Sequence, residues 1–550
     1  MKFTRSMVLV SHDPESLRRG AAAIYEAFQA ELAAADLGDE VSLYQITDSG
    51  RADILPMVVI YPEASVYGPV KVEDVKRIVQ EHLYKGRVVN DLLAPVRQLT
   101  GRVSWLKARK GTEPMEKRVV LRRAGRIDPE NIEEYIAEDG YVALAKAIGR
   151  TRMEIIDELE KSGLQGRGGA GFPTGRKWRF VAGTKSAKKY VVCNADESEP
   201  GTFKDRVILE GDPHSIIEAM IIAGYVVGAD EGFIYVRGEY QLAQKRLEKA
   251  ILQAREYGLL GKNILGTGLS FDLHVHSGAG AYVCGEETAL LESIEGRRGE
   301  PRSRPPYPTT HGLWGKPTVI NNVETLANVP PIIQNGAEWY RSMGTPSSPG
   351  TKVYTIMGNV NFTGLIEVPM GITLREVIGI YGHGMKAGSN FKLAQTGGSS
   401  GSIIPPSLQD TPMDFESFRK AGVSLGSGAL LLCDERTCVV DLAITLLKFF
   451  RFESCGKCTP CRVGTARAVR ILISISEGQA QLGDLDTLLA LADEMELASN
   501  CGLGQTAATP IRDILKNFRA EVEAHIRLGV CPAGVCSMAP EAELEFAEEG

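Results

Sequence analysis

Three cysteines in Glu453-Ser454-Cys455-Gly456-Lys457-Cys458-Thr459-Pro460-Cys461-Arg462 follow a C-x-x-C-x-x-C spacing, and another thiol stands at Cys501 in Ser499-Asn500-Cys501-Gly502-Leu503-Gly504. That spacing winds a short loop so that three thiolates converge. A distant fourth closes a tetrahedral set that fits the corners of a four-iron, four-sulfur cluster. Structural zinc also takes four thiolates, but usually from two separated C-x-x-C knuckles, so the spacing favours the cluster. A cluster moves electrons one at a time, and the rest of the chain must feed it.

A glycine-rich run, Leu164 to Gly175, contains G-x-G-x-x-G at Gly166, Gly168 and Gly171. The dinucleotide fingerprint needs a strand before that pattern and a helix after it. Here helical Met153 to Lys161 precedes it and strand-like Tyr190 to Cys193 comes later, which disfavours the ordinary Rossmann reading. What remains is side-chain-free backbone whose N–H groups can approach a phosphate or a flat ring, against the plainer reading of a glycine-rich surface turn. The next segments bring the chemistry. Gly175-Arg176-Lys177-Trp178-Arg179-Phe180 supplies cations and aromatics. Asn194, Asp196, Glu197, Ser198 and Glu199 come directly after a strand, where amides and carboxylates suit ribose hydroxyls, a carboxamide or a ribityl chain. Gly280 to Thr288 and Ile320 to Thr325 continue the polar set.

These residues sit in a chain of 550, long enough for several cores. With 43% hydrophobic and 24% charged residues it reads as ordinary globular protein, and a net charge of −7 offers no basic field for nucleic acid. No apolar run is long enough to span a bilayer, and Met7 to Val10 is too short for a signal-peptide core, so a cytoplasmic location without membrane insertion is expected. Eight of the ten cysteines lie from Cys433 onward, so metal chemistry is expected in the C-terminal part.

The elements that would position these groups divide the chain into six parts. Residues 1–95 read β-α-β-β-α, with strands at Ser6 to Val10, Val41 to Thr47 and Met57 to Tyr61 and helices at Pro14 to Ala34 and Val72 to Leu83. Residues 96–140 read as a connector. Residues 141–345 alternate helices with strands at Tyr190 to Cys193, Phe233 to Val236 and Phe271 to His276, and Thr345 to Gly350 reads as a linker. A β-rich module at 346–415, a helical region at 416–530 and a cysteine-containing acidic tail at 531–550 follow.

Taken together, the segments from about 141 to 530, with Tyr235-Val236-Arg237-Gly238-Glu239-Tyr240 among them, closely resemble the NADH-binding flavoprotein subunit of respiratory complex I. They are similar also to its soluble relatives in bidirectional and electron-bifurcating hydrogenases and NAD-dependent formate dehydrogenases. The resemblance implies a multidomain α/β fold with a Rossmann-like FMN and NADH domain, a β-grasp (SLBB-like) module and a C-terminal helical bundle carrying the 4Fe-4S cluster. It implies an FMN pocket of Gly166, Arg167, Gly168, Gly169, Lys177, Asn194, Asp196, Glu197, Ser198, Tyr282, Gly285, Glu286, Glu287, Asn321 and Asn322. Phe172, Phe180, Glu199, Arg304 and Tyr307 would receive NAD(H), and Cys455, Cys458, Cys461 and Cys501 the cluster. Hydride would pass between nicotinamide and FMN, and single electrons between FMN and the cluster, with no catalytic side chain beyond the cofactors. The family's Lys-Pro-Pro-Phe-Pro reads Arg304-Pro305-Pro306-Tyr307-Pro308 here, which opens the NADH-versus-NADPH question, although Glu199 would repel a 2′-phosphate.

Leu55 to Val70 is similar to the thioredoxin-like ferredoxin domain, which normally holds a two-iron cluster. Its loops here read Val10-Ser11-His12-Asp13 and Asp48-Ser49-Gly50-Arg51, without thiols, so a docking role is expected. Implied partners are a small 2Fe-2S thioredoxin-like subunit and a larger iron–sulfur or catalytic subunit. Cys433, His525, Cys531 and Cys536, with Cys438 as substitute, form an expected zinc set, against buried free thiols beside a surface histidine. Cys193 and Cys284 read as packing residues. The rival to an enzyme is a cluster-bearing scaffold whose flavin pocket has decayed. Electron bifurcation is a variant of the first reading that depends on partners.

Overall fold

The computed structural model describes residues 5–46, 54–61, 65–94, 117–386 and 388–538. The expected loop at Asp48 to Arg51, the connector up to residue 116 and the acidic end beyond 538 lie outside them.

In β1 (Ser6–Ser11) alternate residues Val8 and Val10 turn inward against Ile24, Phe28 and Leu32 of α1 (Ala21–Ala34). The strand pairs in parallel with β2 (Val41–Ile46) and antiparallel with β3 (Val58–Tyr61), which pairs with β4 (Ser65–Tyr67). The sheet order is β2-β1-β3-β4. The helix expected over Pro14 to Ala34 is broken at Gly20, whose φ of 94° is a left-handed value that L side chains resist. Asp13 accepts from the N–H groups of Glu15 and Ser16 and caps the first piece.

The connector is a correction. From residue 117 onward it is folded into the next domain. Val120 and Leu121 donate their N–H groups to the Glu367 carboxylate, and Tyr135 donates to Glu218 at 2.5 Å. Val119 to Leu121, Ile127 and Tyr135 belong to that domain's core. Their burial comes from packing on a helix, not from any periodicity of their own.

That helix, α6 (Pro213–Val227), is apolar nearly all round and is buried throughout except at Tyr225, as expected for a helix packed on every side. Before it come α2 (Val142–Ile148), α3 (Arg152–Ser162), α4 (Thr174–Gly183), β5 (Tyr190–Ala195) and α5 (Lys204–Gly211). After it come β6 (Glu231–Val236), α7 (Gln241–Glu256), β7 (Asp272–Ser277), α8 (Glu287–Ile294) and β8 (Thr318–Asn322), a strand that sequence periodicity did not separate. All four strands run parallel in the order β7-β6-β5-β8. The chain therefore builds outward from β5 on one side and returns to it on the other. In an open parallel sheet such a reversal leaves a crevice at the carboxyl ends of the two strands, which is where ligands bind.

Thr351–Gly358, Gly364–Pro369, Phe391–Thr396, Ile403–Ile404 and Ala429–Asp434 form a five-stranded mixed sheet. Ala429–Asp434 pairs in parallel with Thr351–Gly358, so the β-rich module ends near residue 434, not at 415. Helices α9 (Val439–Glu453), α10 (Thr459–Ser476), α11 (Gly483–Ala498), α12 (Thr509–Asn517) and α13 (Arg519–Arg527) complete the chain, and their core is continuous with Val283, Cys284 and Leu290 of the parallel-sheet domain.

Candidate redox centre

The crevice between β5 and β8 is lined by the predicted polar residues. Asn194 and Asn322 are register partners at the strand ends, as are Cys193 and Asn321. The glycine turn lies over them. Gly166 N–H donates to Phe172 O at 2.9 Å, folding the turn back on itself. A Cβ on Gly168 would sit 3.0 Å from Asn322 Cβ, and one on Gly171 (φ 66°) would strike the Phe415 ring at 2.7 Å, so side-chain-free backbone is needed at both. As the sequence implied, α3 precedes the turn and α4 follows it, so this is not the strand–turn–helix fingerprint.

Asp196 is the informative residue. Oδ2 accepts from Ser198 Oγ at 3.1 Å, while Oδ1 is buried without a hydrogen-bond partner. Burial raises its pKa to about 7. An orphaned buried acceptor costs roughly 1–3 kcal/mol and marks a place where a ligand donor belongs. Asn194 Nδ2 donates to Gly285 O at 2.8 Å, which ties β5 to the loop before α8.

Two of the expected flavin residues engage their side chains within the protein. The Arg167 guanidinium is fully buried and donates to Thr351 O, Pro349 O and Tyr340 Oη, so only its backbone borders the crevice. The Glu197 carboxylate accepts from the N–H groups of Asp205 and Arg206 at the start of α5 and from Tyr240 Oη. Other expected residues also have structural work: Glu286 caps α8, Asn322 caps the helix that follows β8, and Asn321 Oδ1 accepts from Trp178 Nε1 at 2.8 Å.

On the rim, Lys177 and Arg304 converge on Glu287 at 3.4 and 3.0 Å, and Lys177 also donates to Ile320 O. Phe172, Phe180 and Tyr307 hold their rings 42, 45 and 56% exposed, which leaves their faces open to stacking partners. Glu199 lies deeper. It accepts from Tyr282 Oη at 2.7 Å and from Ser400 N and Oγ at 3.0 and 2.8 Å, so a turn of the β-rich module closes this end. Ser400 was missed as a site residue. Its only sequence signal was the turn Thr396 to Gly401.

The cysteine set adjoins the crevice. Helix α9 ends at Glu453, Cys458 caps α10, Cys461 lies in its first turn, and Cys501 begins a further turn. Cys455, Cys458, Cys461 and Cys501 line one cavity with Val283, Pro301 and Leu503. Gly456 (φ 77°) reverses the loop between the first two thiols. Arg298 donates to Cys455 O, and Lys457 and Asn500 donate to Pro301 O, so the segment after α8 clamps both cysteine loops. Burial pushes the Cys461 thiol up to about 11, so the protein alone does not ionise it; the iron of a cluster held by Cys455, Cys458, Cys461 and Cys501 would supply that charge, and the donor set fits such a cluster.

A second group, Cys438, His525, Cys531 and Cys536, has all ligand atoms within 4.8 Å of one another. Cys438 Sγ lies 3.4 Å from His525 Nε2 and 3.5 Å from Cys536 Sγ. His525 Nδ1 faces Glu521 O at 2.8 Å; the carbonyl obliges Nδ1 to carry the proton and leaves Nε2 free as a ligand. Here the expected set is corrected: Cys438, not Cys433, joins the other three. Cys433 is paired with Leu393 inside the mixed sheet, whereas Cys438 opens α9 beside α13. Cys193 and Cys284 are buried packing residues, as expected.

Two family profiles match the chain: the Nuo51 FMN-binding domain over residues 159–331 and the NADH-ubiquinone oxidoreductase-F iron–sulfur binding region over 441–525. An F-type NADH-quinone oxidoreductase polypeptide of Rhizobium meliloti is 48% identical over 75% of this chain and 99% of its own length. The chain belongs to the NADH-quinone oxidoreductase F family. As a member of the F family it is an NADH dehydrogenase-type flavoprotein with FMN-binding and 4Fe-4S regions. Another relative, the HndC component of the NADP-reducing hydrogenase of Solidesulfovibrio fructosivorans, is 51% identical over 78% of this F-family chain and 87% of its own length. Among solved structures, a chain of an NAD+-reducing [NiFe]-hydrogenase in the H2-reduced state superposes with a TM-score of 0.66 at 32% identity, covering 95% of this chain and 84% of that one. The mixed α/β multidomain architecture is therefore shared with that hydrogenase chain. No helix among the described residues is long and apolar enough to cross a membrane.

Proposed function

We propose that this protein passes electrons between a nicotinamide bound at the crevice rim and the cluster held by Cys455, Cys458, Cys461 and Cys501. FMN bound between them supplies the exchange of two electrons for one. The observation that carries this reading is the placement of Tyr282 and Val283. Tyr282 Oη reaches Glu199 in the crevice while the next residue, Val283, lines the cysteine cavity. One loop thus borders both sites, which supports cofactors bound side by side.

In this reading the backbone of Gly166 to Gly169 lies against the flavin, with Lys177, Asn194, Asp196, Ser198, Gly285 and Asn321 around it. Asp196 Oδ1 accepts from the ligand the hydrogen bond that it lacks in the protein. Phe172, Phe180 and Tyr307 stack on the dinucleotide, Arg304 and Glu287 set the charge at its entrance, and Glu199 disfavours a 2′-phosphate. Purified protein tests the proposal: it should carry flavin and iron and reduce an artificial acceptor with NADH. Cluster absorbance without flavin would instead support the scaffold reading.

The observed order β2-β1-β3-β4 and the thiol-free Asp13 cap support a thioredoxin-like N-terminal domain that docks partners without holding a cluster. The five-stranded mixed sheet supports a β-grasp, SLBB-like module. Partners carrying further clusters, a small thioredoxin-like 2Fe-2S subunit and a larger catalytic subunit, would take the electrons onward. At the far end of α9, roughly 22 Å from the cysteine cavity by helix rise, the Cys438, His525, Cys531 and Cys536 group fits zinc. A tetrahedral zinc holds thiolates roughly 3.8 Å apart, close to the observed 3.5 Å between Cys438 and Cys536.

A further inference from the structure

Under the glycine turn lies a buried network of charges contributed by three parts of the fold. Lys204 Nζ, on α5, is 2.6 Å from Asp205 Oδ1 and 2.9 Å from Glu324 Oε2, and it reaches Asn322 Oδ1 at 3.4 Å. Asp205 Oδ2 accepts from Asn322 Nδ2 at 2.6 Å, and Asn322 is the side chain on which Gly168 rests. Glu324 Oε1 accepts from Val353 N in the β-rich module. The neighbouring Lys352, also on that module, points back into the network. Its Nζ is 3.7 Å from Glu324, and it donates to Ser427 O at 2.8 Å and to the Arg167 carbonyl at 3.3 Å. Lys352 and Lys204 are both fully buried.

The Arg167 carbonyl belongs to the peptide that enters Gly168. Lys352 therefore holds the glycine turn from beneath, across a domain boundary, without touching the crevice. We propose that Lys352 is a positioning residue for the flavin: its charged ammonium fixes the Arg167–Gly168 peptide and places a positive charge under the crevice. Lys204 and Lys352 stand against Asp205 and Glu324 in this network, with the Arg167 guanidinium acting on Glu324 and the Glu197 carboxyl on Lys204 and Asp205. An anionic flavin above it gains from the Lys352 charge. A neutral Lys352 removes both that charge and the charged donor.

The groups facing Lys352 set when this happens. Burial lowers its pKa, the Glu324 and Asp205 carboxylates raise it, and the Lys204 ammonium and Arg167 guanidinium lower it further, leaving about 8. The Tyr354 ring stands 5.8 Å from Nζ on the same strand. A rise in pH through that value discharges Lys352 inside the folded protein, so flavin affinity falls across the same interval.

The inference rests on assigning the crevice to FMN, and the test separates the two. FMN is titrated by fluorescence quenching into the full-length chain stripped of flavin, between about pH 7 and 9. Wild type, Lys352→Met and Glu324→Gln are compared, with a thermal melt of each to confirm folding. Wild type should lose roughly tenfold in affinity over this range. Lys352→Met should be roughly tenfold weaker at the lower pH and keep only the part of the pH dependence that the Asp196 carboxyl contributes. Glu324→Gln removes a carboxylate that keeps Lys352 charged, so its loss of affinity should set in at lower pH than in wild type. Lys352→Met with wild-type affinity, or with the wild-type pH dependence, overturns the role of Lys352. If Lys352→Met does not fold, an unshifted profile in Glu324→Gln overturns it. Wild-type protein that binds no FMN overturns the crevice assignment and the inference with it.

Discussion

The backbone N–H of Tyr282 donates to Glu453 Oε2 at 3.0 Å, and Glu453 is the last residue of α9 before the first cluster cysteine. The same tyrosine donates its hydroxyl to Glu199 and packs edge-on against Phe449 of α9, ring centroids 5.0 Å apart. Nucleotide crevice and cysteine loop are thereby held by one side chain and its own peptide group.

The two halves of that link separate by mutation. Tyr282→Phe keeps the N–H to Glu453 and removes only the hydroxyl. A net hydrogen bond is worth about 1 kcal/mol, so KM for NADH should rise roughly fivefold while iron content stays unchanged. Glu453→Ala should do the reverse, lowering retained iron with less effect on KM. Iron analysis and steady-state kinetics on both variants check the contrast.

Cys501→Ser removes one corner of the cluster but no crevice residue. Bound flavin and NADH reduction of a direct flavin acceptor should persist, while the cluster's visible absorbance is lost. Parallel loss of both would show that the two sites do not fold independently.

Asp196 makes the flavin-free protein pH-sensitive. Burial raises its pKa from 3.8 to about 7, so between those values the folded state binds more protons than the unfolded state. Stability from this group is therefore present below about pH 4 and is lost progressively as the pH rises to about 7. Asp196→Asn removes the buried charge. Its stripped form should be more stable than wild type by about 1–3 kcal/mol at neutral pH and above, with the gap closing on acidification. Denaturant melts across that range measure it. The variant should also bind FMN more weakly, since a neutral amide oxygen is a weaker acceptor for the ligand than the carboxylate oxygen it replaces.

Glu199 is held by Tyr282 and Ser400, and under the proposal its charge would repel a 2′-phosphate. Glu199→Gln keeps the shape and removes the charge. The ratio of kcat/KM for NADPH to that for NADH should rise about tenfold, the scale of one partly screened charge at contact distance.

For the second thiol group, Cys438→Ser should reduce bound zinc, whereas Cys433→Ser should leave it intact. Elemental analysis of the two variants decides between them, since only Cys438 approaches His525.

Much of the centre could be read before the fold was known, and the limits have physical causes. Cys455, Cys458 and Cys461 declare themselves because their geometry is local, set by one loop and the start of one helix. Cys433 and Cys438 do not, because only the change from sheet to helix after Asp434 turns one thiol inward and the other toward His525. Ala429–Asp434 escaped the β-rich module because its pairing with Thr351–Gly358 spans a long stretch of chain. Arg167 sits within the glycine motif, yet its side chain is drawn away by Thr351 O and Pro349 O, acceptors that only the tertiary fold brings near. Residues 117–140 lacked periodicity because they bury single side chains, such as Tyr135 against Glu218, and not a continuous face.

The central claim is that a nicotinamide at the crevice reduces the cluster held by Cys455, Cys458, Cys461 and Cys501 through the intervening site. Anaerobic addition of NADH to the purified protein, frozen and examined by electron paramagnetic resonance, tests it directly. A reduced 4Fe-4S signal that grows with NADH and is absent in Cys501→Ser is the predicted result. A cluster that dithionite reduces but NADH leaves oxidised, with flavin bound, would contradict it.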